Sequence, residues 1–194
     1  MNKRNWLAFF GFLYVAVWVI GLLIPTGSPS VSMSNAELQQ IFTANQLART
    51  VQVYLIDAVA GIAILLFGVA ISSLFLTAEE KTLARVLLSA GVVAGTISLV
   101  QTGIQLTLVN SDLLASAETP FRTLLALVNQ IDTFKLMALA LFSVSTSMLG
   151  LRTRLIPAWI NWFGIVLSIA LLLGGLSFLI ANSMLAAVLF ASLP

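Results

Sequence analysis

The stretch LLALVNQIDTFKLMALALF, residues 124–142, decides how the chain is read. It is long and apolar enough to cross a bilayer core of about 30 Å, which takes about 20 helical residues. Yet Asp132 and Lys135 stand near its centre, the only charged residues between Arg122 and Arg152. If the stretch is a membrane span, the chain is a membrane protein with a buried acid and base one helical turn apart. The rest of the sequence settles the first half of that statement.

Of the 194 residues, 60% are apolar and 8% are charged, and the mean hydropathy is +1.07. Soluble domains carry about 25% charged residues, so a water-exposed surface cannot be built from this composition. The chain reads as an integral membrane protein with the lipid bilayer as its solvent. Cysteine and histidine are both absent, which removes disulfides, thiol chemistry and the commonest ligands for zinc, copper and haem. No cofactor and no metal site are expected. The net charge of +2 comes without a basic run, so no nucleic-acid partner is expected either.

Five segments have the length and hydropathy of spans: about 6–24, 47–76, 83–109, 121–149 and 157–181. Short connections predict antiparallel neighbours in one all-α transmembrane bundle, a single domain over 1–194. The stretch after Lys3 and Arg4 is too long for a signal-peptide core and lacks a small-residue cleavage site, so a retained first span is expected. The apolar tail 182–194 is too short to cross and is expected to be a partial sixth span.

Positive residues set the orientation. Lys3, Arg4, Lys81, Arg85, Arg152 and Arg154 fall on one side, and Arg49 and Arg122 on the other. The expectation is a cytoplasmic N-terminus in a bacterial inner membrane. The longest connection, 25–46, then lies outside. SNAE (34–37) has the form of a capping box, with Leu38, Ile41 and Phe42 following at helical spacing. Either a short helix lying on the membrane or capping the bundle, or an extension of the second span, fits this pattern. Thr77 to Glu80 can cap the third span, Thr119-Pro120 predicts a cap followed by proline at the first helical position of the fourth, and Pro157 opens the fifth. Trp159 and Trp162 then fall at the interface.

The stretch RTRLIPAWINWFGIVLSIALLLGGLSFL (152–179) combines two basic residues, L-I-P-x-W and a glycine opening an apolar span. It resembles the bacterial membrane family catalogued as domain of unknown function 4386. The resemblance extends more loosely over the whole chain. It implies a multi-pass membrane topology, usually with a sixth span, and no particular activity.

Depth links the polar residues. Asp132 lies about four residues, roughly 6 Å, from the middle of its span. Asp57 in the second span and Gln101 in the third fall at nearly the same depth, with Gln105 one turn further out. Each Cβ tilts toward its helix N-terminus, so Lys135 rises toward Asp132 and Gln101 descends toward it. Three helices thus place Asp57, Gln101, Asp132 and Lys135 in one layer of the outer half. Gln52, Asn129 and Gln130 are neutral company, and Arg49 is a further cation about eight residues, roughly 12 Å, above Asp57.

Two carboxylates and one ammonium leave a net charge of −1 when all are ionised. In the binding reading, Asp132 holds Lys135, Asp57 is the titrating acid, and Gln101 and Gln105 orient a ligand: a proton, a cation or a small polar solute. In the structural reading the cluster glues helices, and the protein is an accessory subunit docking membrane partners or a second copy of itself. Intramembrane ionisable residues favour the first; a charge pair on one helix favours the second. No nucleophile, metal set or phosphate loop accompanies the acids, so catalysis is not expected. GVVAG (91–95) is a GxxxG expected to serve packing within the chain, and the hydroxyls of SVSTS (143–147) are expected to bond helix carbonyls or a neighbouring helix.

Overall fold

The computed structural model describes residues 3–75, 80–109 and 116–181. Among them every regular element is helical. Helix α1 spans Lys3–Leu22, α2 Asn35–Ala44, α3 Gln46–Phe75, α4 Lys81–Val109, α5 Glu118–Thr153 and α6 Ala158–Ala181. Helices α3, α4 and α5, of 30, 29 and 36 residues, and α6 are each long and apolar enough to cross a membrane. The apolar part of α1 is the shorter Trp6–Leu22. The tail 182–194 and the Thr77 cap lie outside the described residues.

Packing follows chain order, α3 on α4, α4 on α5 and α5 on α6, with α1 against α3. Small residues make the α3–α4 seam. A Cβ on Gly95 would lie 2.7 Å from the Gly61 carbonyl oxygen and 2.8 Å from Leu65 Cβ, and Gly68 faces Gly91. The GxxxG therefore packs inside the chain, where the missing side chains let two backbones touch. The hydroxyl run does both things expected of it. Thr146 donates to the Phe142 carbonyl one turn back, and Ser143 donates to Gly164 O on α6 at 2.8 Å.

Two apolar clusters form the core. One, at the end of the bundle covered by α2, joins Leu38 and Phe42 to Leu108, Phe121, Leu125 and Val128. The other, toward the opposite end, includes Ile64, Ile71, Phe75, Leu87, Phe142 and Leu149. On α3, α4 and α5 the stretch between these clusters carries Asp57, Gln101, Asp132 and Lys135.

Of the two readings of 34–46, a separate helix holds. Ser34 and Glu37 form the reciprocal capping box, with Ser34 N–H donating to Glu37 Oε2 at 2.8 Å. The Ser34 hydroxyl and then its backbone N–H hold the exposed Glu37 carboxyl below the usual glutamate range. The chain breaks at Asn45 (φ −134°, ψ 37°) before α3 begins. Leu38 and Phe42 are buried, so α2 caps the bundle. Arg122 ties it down by donating to Val31 O, Met33 O and Asn35 Oδ1.

One boundary differs from expectation. The cap of α5 is Ala117, not Thr119, and Pro120 occupies the third helical position. The first turn of a helix has no intrahelical partners for its N–H groups, so a proline there removes nothing and does not mark the start.

Candidate functional site

The centre of the polar layer is Lys135, which is 6% exposed. Its ammonium makes three contacts: Asp132 Oδ1 at 2.8 Å, Asp57 Oδ1 at 3.0 Å and Gln101 Oε1 at 2.7 Å. An ammonium has three donors, and all three are engaged. Gln105 donates to the other Asp57 oxygen at 2.8 Å. The five residues singled out from depth and direction are thus one connected cluster built from α3, α4 and α5.

Asp132 holds Lys135 as expected, but the pairing is wider: Lys135 also bonds Asp57, so neither carboxylate is left without it. Asp57 is the inner acid, with its side chain 3% exposed, whereas that of Asp132 is 38% exposed. Gln101 is fully buried, and its oxygen belongs to the Lys135 shell. Its Nε2 has no partner among the described residues, nor has the buried Thr133 Oγ1. The count of two carboxylates to one ammonium stands, but the group at the edge is Asp132.

Local backbone explains where Asp57 sits. Residues Tyr54–Val59 form a π-helical turn within α3, with Asp57 inside it. Such turns are rare, and frequently mark functional sites. Gly21 of α1 packs directly against Ile56 in the same turn. Gln52, one turn earlier, donates to Gly21 O and Ile24 O and accepts from Thr26 Oγ1. It thereby fastens the end of α1 and the turn after it to α3.

Asp132 and Gln105 open onto a cavity of about 740 Å³ toward the α2 end. The segment Pro25–Ser30 and residues Arg49, Gln52 and Asn129 form the rest of its polar wall. Arg49, the further cation above Asp57, does not reach it; its Nη2 donates to Thr26 O at 2.8 Å and Gly27 O at 3.0 Å. Its guanidinium lies 4.4 Å from the centre of the Phe42 ring. Gly27 turns the backbone here with φ +70°, a conformation that favours glycine. In the sequence the prolines and glycine of this segment mark a bend, not what the bend encloses.

Chemically the arrangement can hold a charge or a dipole at the Asp132 edge and balance it on the buried Lys135. Among the described residues no three acidic side chains come together as a metal-ligand group. No known family model, curated protein or solved structure matches the chain.

Proposed function

We propose that the chain is a non-catalytic, five-span protein of the bacterial inner membrane, its N-terminus cytoplasmic and the α2 end facing outward. In this reading the outward cavity admits a proton, a cation or a small polar solute to a site at Asp132, Lys135, Asp57, Gln105 and Gln101. The observation that carries it is the half-exposed Asp132 carboxylate, bonded to a buried ammonium and opening on a partly polar cavity. A cluster meant only for packing has no need of such an opening. Topology rests on the placement of the basic residues and on the likeness of residues 152–179 to the domain of unknown function 4386 family. Helix α1 is the first span.

A second reading has its own support. All three Lys135 donors are engaged within the chain, as they would be in a closed knot that only fastens helices of an accessory subunit. Melting curves of the purified protein with and without sodium, potassium or pH change separate the two. A site that binds gives a solute- or pH-dependent shift that Asp132→Asn abolishes while the fold persists. A knot gives no shift that depends on Asp132, and the protein copurifies with membrane partners in mild detergent.

A further inference from the structure

Among the described residues, the outer cavity carries two unbalanced charges of opposite sign at different points of its wall. Among the described residues, Asp132 and Arg49 are the only charged ones lining it. At the inner edge, the Asp57–Lys135–Asp132 cluster has one carboxylate in excess. At the outer edge, Arg49 is 6% exposed, and among the described residues no carboxylate lies within 4.0 Å of it. Among the described residues its contacts are neutral carbonyls and an aromatic face, and its Nε has no acceptor. A buried guanidinium without an anion is costly to keep.

The two excess charges do not neutralise one another, since Arg49 and Asp132 form no ion pair. Arg49 stands eight residues before Asp57 on α3, a rise of roughly 12 Å. Between them the wall offers the neutral amides of Gln52, Gln105 and Asn129. The four charged groups sum to zero, so a solute that is itself neutral overall adds no net charge to the site. A solute with a positive end and a negative end, held apart by a short chain, complements this wall.

We propose that the cavity takes a zwitterion whose terminal charges are several bonds apart, the chemistry shared by short unblocked peptides and ω-amino acids. Its carboxylate meets Arg49 and its ammonium meets Asp132, with the glutamine and asparagine amides along its length. This rests on the reading of the cavity as a solute site and names the class of solute.

The test is equilibrium binding to the purified full chain in detergent or nanodiscs, with four probes that share one triglycine backbone. These are triglycine, N-acetyl-triglycine, triglycine amide and N-acetyl-triglycine amide, which carry both charges, the negative one, the positive one or neither. Triglycine is expected to bind at least tenfold more tightly than each blocked form. Arg49→Gln should remove the preference for a free carboxylate, and Asp132→Asn the preference for a free ammonium. The wild-type comparison stands even where a variant fails to fold. Equal binding of triglycine and its amide, lost in Asp132→Asn, overturns the zwitterion while leaving a cation site. Binding of no probe, together with the absence of any cation- or pH-dependent shift that Asp132→Asn removes, overturns the solute site itself.

Discussion

At the residue scale, Lys135 is the group on which the polar layer depends. It neutralises one of two carboxylates that lie within 3.0 Å of it. Removing it leaves Asp57 buried beside Asp132 with no cation. Breaking a buried ion pair from one side typically costs about 3–5 kcal/mol, and Lys135→Met should destabilise the protein by that order in a denaturant or thermal titration. Asp57→Asn added to Lys135→Met should recover part of the loss, because the buried carboxylate is then gone. A Lys135→Met variant as stable as the wild type would contradict this account of the layer. The layer itself was legible in the sequence, since depth and Cβ direction are simple functions of position along a helix. The sharing of Lys135 was not. A lysine side chain is long enough to reach an acid on its own helix and one on a neighbour, and only the packing of α3 against α4 and α5 decides between them.

At the element scale, two features behave differently as sequence signals. The glycines of α4 announce a close approach, and the structure supplies the partner, Gly61 on α3. Gly95→Leu should therefore lower the melting temperature strongly, because the obstacle at 2.7 Å is a backbone oxygen. A Cβ on Gly103 meets nothing within 4 Å, so Gly103→Ala should be neutral or stabilising by up to about 1 kcal/mol from helix propensity. The π turn at Tyr54–Val59 has no such announcement, as a change of backbone pairing leaves no residue pattern behind. Capping sits between these cases. SNAE reads directly, whereas Thr119-Pro120 misplaces the start of α5 by two residues, because proline is tolerated throughout the first turn. The Glu37 carboxyl is held low by Ser34. A lowered folded-state value means the cap contributes fully above the ordinary glutamate range and is lost as pH falls through the lowered value. Hydrogen exchange in α2 should accelerate over that acidic window in the wild type, and Ser34→Ala should move the onset to higher pH. An exchange profile unaffected by Ser34→Ala would remove the cap from the account.

At the scale of the whole molecule, the polar layer lies between two apolar clusters and opens in one direction, toward the end closed by α2. That end faces outward in the proposed topology. The chain has no cysteine, so single-cysteine variants report on one position each. Ser30→Cys should react with a membrane-impermeant thiol reagent applied from outside, and Arg154→Cys should react only after the membrane is opened. The reverse pattern would invert the topology and place the cavity inside. The same chemistry tests the central claim, that the outward cavity reaches the charged cluster. In right-side-out membranes, Asp132→Cys should be labelled from outside, while Thr133→Cys, at a fully buried position, should stay unlabelled until the protein is denatured. An Asp132→Cys as unreactive as Thr133→Cys, in a protein whose Ser30→Cys is labelled, would mean a sealed knot and contradict the solute site.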